Sequence, residues 1–227
     1  MKNFISVILA RGGSKRIPNK NITDFCGKPL IAWTIEQCFE SGIERVYISS
    51  DCKRILEIGF DFGGIPLLRP KGISGDQSTS EEGWKNAIEQ VAKRGEEYDW
   101  IVAPQITSPI RTSTDLKNGM LLAQSSRYDS IFSCSPTQDL CLWKVDQNGI
   151  DSINFDWQNR KRSQENQTQY IENGSFYIFR PKNLVKYNNR LWGNIGMSKM
   201  KFWQMFEIDS QYDLKLCSVI MNEFILK

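Results

Sequence analysis

Short apolar segments alternate with longer amphipathic segments along most of the chain, and this alternation restricts the fold more than any other feature of the sequence. Apolar, β-branched runs of this length are typical of buried strands, and the segments between them are long enough to form helices. Strands that alternate with helices of about ten or more residues need crossover connections, which predict a largely parallel sheet. The runs lie at Phe4 to Leu9, Arg45 to Ser50, Pro66 to Leu68, Trp100 to Pro104 and Asp129 to Cys134.

Apolar residues at helical spacing place helices between and after these strands. Pro29 stands where the first helix would begin, and Gly42 is suited to end it. Asp51 is suited to cap the second helix, and Ser113 or Thr114 the fourth. The last predicted helix would cover one face of the sheet. The predicted helices span residues 30–39, 51–60, 81–93, about 113–124 and 212–226.

The alternation of strands and helices stops at residue 135, resumes at Ser175 to Phe179, and continues in FWQMFEID near the end. Residues 135–170 are polar and rich in Gln and Asn, with short apolar pieces such as LCLWKV. This composition predicts an excursion from the sheet. The excursion is either a two-stranded arm that contacts a partner or a long surface loop.

A glycine-rich, basic loop follows the first strand directly. The glycines at positions 12 and 13 would let backbone amides approach an oxyanion without an intervening side chain. Ligands of parallel sheets lie beyond the carboxyl ends of the strands, so the loop predicts a site for the phosphates of a triphosphate, with a surface turn as the alternative. It matches neither GxxxxGK[ST] nor GxGxxG. Its cationic residues are Arg11, Lys15, Arg16 and Lys20.

The composition excludes several classes of chemistry. The chain has no histidine, which rules out Ser-His-Asp and Cys-His catalysis, and its six cysteines are scattered without a CxxC pair, which argues against structural zinc. A formal net charge of +3 is too small to indicate nucleic-acid binding. The chain shows neither a signal segment nor an apolar run of transmembrane length, so we expect a soluble, cytoplasmic protein without a membrane partner.

Five sequence blocks in a fixed order carry a family resemblance. They are LARGGSKRIPNKN, RPKGISGDQSTS, QITSPIR, ENGSFYIF and EIDSQYDL. In this order the blocks resemble the cytidylyltransferases that activate sialic acids (N-acylneuraminates) and related nine-carbon keto-acids, the CMP-nonulosonate synthetases. The resemblance runs along nearly the whole chain. The first block alone is also similar to the enzyme that activates the eight-carbon acid Kdo, and the later blocks favour the nonulosonate branch.

This resemblance implies a fold, a reaction and an assembly. The implied fold is a three-layer α/β/α arrangement with a mostly parallel sheet, the Rossmann-like nucleotidyltransferase fold. It forms one domain over residues 1–227, with a small dimerisation arm at about 135–170. The implied reaction joins CTP to the anomeric hydroxyl of a nonulosonic acid and releases pyrophosphate. The family also implies a homodimer whose arm reaches the partner's site.

The resemblance assigns nucleotide and catalytic residues by position. Lys15 and Lys20 are the candidates for stabilising the departing pyrophosphate, and Arg69 and Ser80 match positions near the base and ribose. A surface arginine is the alternative for Arg69. The implied catalytic residues are Arg11, Lys15, Lys20 and Asp209. The implied nucleotide-binding residues are Leu9, Ala10, Arg11, Gly12, Gly13, Lys20, Asn21, Arg69 and Ser80.

Four residues are implied to bind the acceptor sugar. Gln105 matches the acceptor position, and its amide can both donate to and accept from hydroxyl groups. Lys144 and Arg162 are candidates for the sugar carboxylate or for a neighbouring subunit's site. Tyr177 either lines the sugar pocket or belongs to the core. Thr107, Ser108 and Arg111 accompany Gln105, although residues 108–111 are equally suited to start a helix.

Two carboxylates near the end of the chain suggest a metal site. Glu207 and Asp209 are two residues apart, so they would project from the same face of a strand. Together with phosphate oxygens they could hold Mg²⁺ or Mn²⁺, although an unrelated exposed pair is the alternative. The family usually shows Asp-x-Asp here, and Glu207 departs from that pattern.

Two other functions remain open at this level. One is a nucleotidyltransferase that activates a sugar 1-phosphate, which shares the glycine-rich, basic opening. The other is a nucleotide-binding protein of the same fold without turnover, which the departure at Glu207 would favour.

Overall fold

The computed structural model describes residues 3–125, 127–137, 140–147, 149–160, 162 and 168–227. The helices are α1 (Leu30–Glu40), α2 (Lys53–Asp61), α3 (Ser80–Ala92), α4 (Ser113–Gln124), α5 (Pro181–Tyr187) and α6 (Gln211–Phe224). The strands are β1 (Phe4–Leu9), β2 (Asp24–Phe25), β3 (Lys28–Pro29), β4 (Val46–Ser50), β5 (Ile65–Leu68), β6 (Trp100–Pro104), β7 (Ser130–Pro136), β8 (Trp143–Asp146), β9 (Gly149–Ser152), β10 (Tyr170–Phe179) and β11 (Ile195–Lys199).

Seven of the strands in the described residues form one sheet, in the order β11-β7-β10-β6-β1-β4-β5. β1 pairs in parallel with β4 and β6, β4 with β5, and β7 with β11. The mostly parallel sheet is therefore confirmed. β10 is antiparallel to both of its neighbours, β6 and β7, so its amino-terminal half lies beside the carboxyl ends of those strands.

Helices cover both faces of the sheet. Successive residues of a strand point to opposite faces, so a strand that is apolar throughout makes both faces apolar. In β6, Trp100 and Val102 belong to a core that α1, α2, α4 and α6 cover, whereas Ile101 and Ala103 belong to a core that α3 and α5 cover. The three-layer α/β/α architecture predicted from the sequence is confirmed. Within the described residues, no helix has the length and apolar character needed to cross a bilayer.

Within the predicted excursion, β8 and β9 pair as an antiparallel hairpin over residues 143–152. Its apolar side chains are open to solvent: Val145 is 78% exposed and Ile150 is 70% exposed. The ring of Trp143 packs edge-on against Phe155, with 5.3 Å between ring centroids. Residues 138–139, 148, 161 and 163–167 of the predicted excursion lie outside the described residues. Dimerisation through the arm stays a prediction.

The predicted elements match most of the structure, and the largest errors lie after residue 179. The short helix α5 and the edge strand β11 were not predicted from the sequence. β11 has only five residues, of which two are buried, so its sequence indicates a strand only weakly. FWQMFEID is not a strand: Phe202–Met205 is a 3₁₀ helix, and the residues that follow are irregular.

Two predicted helix caps are wrong. Helix α2 begins after Cys52 instead of Asp51, because the Asp51 carboxylate accepts a hydrogen bond from another loop. Helix α4 is capped by Thr112, not by Ser113 or Thr114. The Thr112 hydroxyl accepts from the Asp115 amide, and the Asp115 carboxylate accepts from the Thr112 amide at 2.7 Å, which together form a capping box.

We expect Thr112→Ala to lower the free energy of unfolding by about 1 kcal/mol, because it removes an N-cap hydroxyl. Ser113→Ala is the matched control, since Ser113 is already helical and should change stability little. Chemical denaturation of both variants checks this prediction. Equal losses in the two variants would contradict the assignment of the cap.

Candidate functional site

A polar cleft of about 490 Å³ lies at the carboxyl-terminal edge of the sheet. It is formed where the segments that follow β1, β5 and β6 meet, which is the edge where ligands of parallel sheets are expected. Its lining includes Leu9, Arg11, Ser14, Lys15, Arg16, Ile17, Lys20, Asn21, Arg69, Ile73, Ser74, Gly75, Asp76, Ser78, Thr79, Ser80, Gln105, Thr107 and Asp209. The structure therefore brings together most of the residues predicted for the nucleotide, together with Gln105 and Asp209.

The loop after β1 is held in place by two hydrogen bonds. The Gly12 amide donates to Asp51 Oδ1 at 2.9 Å, and Asn21 Nδ2 donates to the Arg11 carbonyl at 2.9 Å. A Cβ atom on Gly12 would lie 2.9 Å from Cys52 Cβ, so close packing requires glycine there. In this structure the Gly12 amide donates to a carboxylate of the protein itself, and its role toward a phosphate stays a prediction.

Two carboxylates hold the four cations of this loop. Asp76 pairs with Arg11 at 2.6 Å and with Lys15. Asp209 pairs with Lys20 at 2.9 Å and with Arg16 at 3.3 Å. All four of these cations also line the cleft: Arg11, Lys15, Arg16 and Lys20.

The pairs at Asp76 are open to solvent. Hydrogen bonds from Lys15, and then from Arg11, hold the pKa of the Asp76 carboxyl below its usual value. Exposed ion pairs of this kind contribute little net stability. An anionic ligand that enters the cleft can therefore replace the carboxylate at small cost.

Lys20 is the most buried of the four loop cations. Its side chain is 14% exposed, and its ammonium group donates to the Ile208 carbonyl and to Asp209 Oδ1, both at 2.9 Å. Asp209 in turn precedes α6, and its amide donates to Asp213 Oδ2 at 3.0 Å. Lys20 therefore holds a fixed positive charge between the loop after β1 and the start of α6.

Arg69 is buried, with 5% of its surface exposed, so the surface alternative for this residue is wrong. Its Nε donates to Ser74 Oγ at 3.0 Å, and Ser74 Oγ donates to the Pro70 carbonyl at 2.9 Å. Burial lowers the pKa of the guanidinium. Gly83 of α3 makes room for this side chain, because a Cβ there would lie 2.9 Å from Arg69 Nη1. Ser80 begins α3 at the cleft edge.

The opposite side of the cleft is lined by Gln105 and Thr107, which follow β6 beside β10. The backbone amide of Gln105 donates to the Ser175 carbonyl at 2.9 Å, and this hydrogen bond holds Gln105 against β10. Gly174 has φ of +63°, a left-handed conformation that favours glycine. A Cβ at Gly174 would lie 2.0 Å from Glu207 Oε1, so the glycine also makes room for that carboxylate.

Glu207 and Asp209 lie on an irregular segment and not on a strand, which corrects the sequence-based prediction. Their environments differ. Burial, and then the charge of Asp209, raises the pKa of the Glu207 carboxyl, and Thr107 Oγ1 donates to Glu207 Oε2 at 3.4 Å. Asp209 is half exposed and lines the cleft.

This donor set suits a divalent cation that takes most of its ligands from elsewhere. Within the described part of the chain, no group of three or more His, Cys, Asp or Glu side chains could hold a metal. Mg²⁺ is commonly bound by one or two carboxylates, with substrate phosphates and water as further ligands. The carboxylates of Asp209 and Glu207 fit that mode, with Asp209 as the one that faces the cleft.

Three residues predicted for the acceptor sugar do not line the cleft of the described chain. Lys144 lies on the β8–β9 hairpin, 3.7 Å from Asp151, and Arg162 is exposed. Tyr177 is buried in the core under α3 and donates its hydroxyl hydrogen to Glu172. Their roles toward the acceptor stay predictions.

The sequence analysis missed the carboxylate of Asp76 and the anchoring role of Asp51. Asp76 lies in RPKGISGDQSTS, one of the blocks that carry the resemblance, and Asp51 directly follows β4. The signal that could have found both was their position: each follows a strand at the edge of the sheet where the basic loop also lies.

The fold is that of known nucleotidyltransferases. A solved structure of CMP:2-keto-3-deoxy-manno-octonic acid synthetase in complex with CTP is similar, with a TM-score of 0.71 at 16% identity over 98% of this chain and 99% of that one. A 4-diphosphocytidyl-2C-methyl-D-erythritol synthase is also similar, with a TM-score of 0.69 at 10% identity over 97% and 100% of the two chains.

A family model described as cytidylyltransferase matches residues 5–216, and the chain therefore belongs to the cytidylyltransferase family. A pseudaminic acid cytidylyltransferase of Campylobacter jejuni is 34% identical over 184 residues, which cover 78% of each protein. The N-acylneuraminate cytidylyltransferase A of Danio rerio is 31% identical over 216 residues, which cover 93% of this chain and 49% of that protein.

Proposed function

We propose that this chain is a CMP-nonulosonate synthetase, which transfers CMP from CTP to a nine-carbon keto-acid and releases pyrophosphate. The anomeric hydroxyl oxygen of the acceptor bonds to the α-phosphorus and its proton is released, while the bond from that phosphorus to the bridging oxygen of pyrophosphate breaks. The family of the chain supports the nucleotide, and relatives named for pseudaminic acid and N-acylneuraminic acid support the class of acceptor.

One observation carries this proposal: four loop cations and the buried Arg69 line a single cleft at the carboxyl edge of the sheet. A triphosphate brings several negative charges, and the cations that now pair with Asp76 and Asp209 would pair with it instead. Catalysis of phosphoryl transfer is chiefly positioning and neutralisation of charge, and neither needs a histidine.

Lys20 is the cation best placed to act on the leaving pyrophosphate. Its ammonium group is held by the Ile208 carbonyl, a contact that does not depend on Asp209, so little reorganisation is needed when charge develops. Arg11 and Lys15 are more exposed and would close on the outer phosphates after they release Asp76. We therefore assign departure of pyrophosphate to Lys20, with Arg11 and Lys15 in support.

The nucleoside would lie on the side of the cleft formed by Arg69 and Ser80. Arg69 is oriented by Ser74, and its buried guanidinium can donate to a carbonyl group of a base. Gln105 lines the opposite side, and its side-chain carboxamide can donate to and accept from the hydroxyl groups of a sugar acid. The arrangement leaves the space between them for the reacting α-phosphate and anomeric hydroxyl.

Asp209 and Glu207 would hold Mg²⁺ together with phosphate oxygens of CTP. The ion would withdraw negative charge from the phosphates. The Asp209 carboxylate is paired with Lys20 in this structure. When the ion binds, the carboxylate must either break this ion pair or contact the ion and Lys20 together. Glu207 would support the site from its half-buried position beside Thr107.

The first test is pyrophosphate release with CTP, Mg²⁺ and a panel of acceptors. The panel contains N-acylneuraminate, its deaminated analogue, legionaminate, pseudaminate and Kdo, with sugar 1-phosphates and other nucleoside triphosphates as controls. We expect release with CTP and at least one nonulosonic acid. Release only with a sugar 1-phosphate, or binding of CTP without release, would contradict the proposal.

We expect Lys20→Ala to lower kcat by about 100-fold or more, a typical loss when a fixed charge-stabilising donor is removed. The assay is pyrophosphate release at saturating CTP, combined with thermal unfolding to confirm the fold. Lys28→Ala is the matched control, because Lys28 is also a partly buried lysine and pairs with Glu36 outside the cleft. A wild-type rate for Lys20→Ala would remove Lys20 from the reaction.

We expect Asp209→Asn to shift the activation curve to higher Mg²⁺ concentration, because an amide is a weaker ligand than a carboxylate for a hard cation. The measurement is the initial rate against Mg²⁺ at saturating CTP. Asp76→Asn removes the other cleft carboxylate and serves as the comparison. Undiminished activity of Asp209→Asn at limiting Mg²⁺ would refute the assigned role.

A further inference from the structure

Arg111 is a fully buried arginine whose hydrogen bonds go mainly to the backbone. Its Nη1 donates to the carbonyl oxygens of Gln105 and Ser108, both at 2.7 Å, and its Nη2 donates to Thr34 Oγ1 at 2.7 Å. Burial lowers the pKa of the guanidinium to about 10, so the group stays charged at neutral pH. Its buried Nε has no hydrogen-bond partner among the described residues.

A buried charge is costly unless polar groups surround it. Here those groups are the carbonyl oxygens of one turn, residues 105–108, and the Thr34 hydroxyl of α1. The two terminal nitrogens of the guanidinium, Nη1 and Nη2, keep their hydrogen bonds only when the turn holds the conformation that directs these carbonyls inward. The need to satisfy the charge therefore fixes the conformation of the turn.

The turn at residues 105–108 connects three parts of the cleft. Its first residue, Gln105, donates its amide hydrogen to the Ser175 carbonyl of β10, which also lies 3.3 Å from Arg111 Nη1. The Thr107 carbonyl accepts from the Ile208 amide at 2.7 Å, directly before Asp209. Arg111 thus lies behind the wall that presents Gln105 and Asp209.

The nucleotide side of the cleft is held by separate contacts. The loop after β1 is anchored by the Gly12 amide on Asp51, and Arg69 is anchored by Ser74. The contacts of Arg111 described above do not include these groups. One link joins the two sides, since the Ile208 residue that donates to Thr107 also accepts from Lys20. A change at Arg111 should therefore act directly on Gln105 and more weakly on the loop after β1.

We infer that Arg111 is a positioning residue for the acceptor side of the cleft: it sets Gln105, and through Thr107 the Asp209 segment, without touching substrate. This inference rests on the proposed function for the identity of the acceptor. It predicts that loss of the Arg111 hydrogen bonds affects the two substrates unequally: binding of the acceptor weakens much more than binding of CTP.

The kinetic test uses Arg111→Lys and Thr34→Val with the acceptor that the panel identifies. For Arg111→Lys we expect the KM of the acceptor to rise about tenfold or more, which corresponds to about 1.4 kcal/mol. The dissociation constant of CTP, measured by calorimetry, should stay within about twofold, a change below about 0.5 kcal/mol. Thr34→Val keeps the arginine and should give a smaller shift in the same direction.

Ser41→Ala is the matched control for Thr34→Val. Ser41 is also a buried hydroxyl residue at α1, but it donates to the Cys38 carbonyl and not to the turn. It should leave both substrate constants unchanged. If Thr34→Val and Ser41→Ala lower stability equally and leave the KM of the acceptor unchanged, Arg111 has a structural role only and the inference is overturned.

Amide hydrogen exchange tests whether Arg111 positions the turn and needs no measurement of activity. In Arg111→Lys we expect faster exchange at the amides of Gln105 and Ile208, and unchanged exchange at the Gly12 amide. Unchanged exchange at Gln105 and Ile208 would overturn the inference even for an active enzyme. Faster exchange there in a protein that uses none of the nonulosonic acids would support the positioning of the turn and refute only the proposed function.

Discussion

The parallel pairing of β1 between β4 and β6 is the constraint on which the rest of the structure depends. Because parallel strands end at the same edge of a sheet, this pairing brings the loop after β1 beside the segments that follow β5 and β6. Residues far apart in sequence then line one cleft. The two apolar cores, one on each face of the sheet, bury the strands, so the charged residues lie in the loops at the edge.

Charge balance explains how so many cations can lie together in one cleft. Asp76 and Asp209 each pair with two cations of the loop after β1, so that the positive groups are neutralised in place. These pairs are mostly exposed and weak, whereas Lys20 is fixed by a carbonyl as well. The cleft is therefore prepared for an anion and loses little when carboxylates are exchanged for phosphates.

The reversed strand β10 supports the side of the cleft that Gln105 lines. Since β10 runs against β6 and β7, its residues 173–175 lie next to the end of β6, where Gln105 meets the Ser175 carbonyl. Gly174 provides the space for Glu207, and Arg111 holds the turn on this side of the cleft. The reversal thus connects the acceptor side of the site to the segment that carries Asp209.

The sequence by itself determined strands β1, β4, β5, β6 and β7, five of the helices to within a few residues, and the basic loop with its place at the sheet edge, because periodicity and glycine placement are local signals. Five blocks in order also fixed the family, which the family model bears out. Only the tertiary structure decided that Asp51 anchors Gly12, that Asp76 pairs with Arg11, and that Tyr177 lies in the core. These outcomes depend on contacts between segments far apart in the chain, and no local pattern records which distant partner a polar side chain will meet.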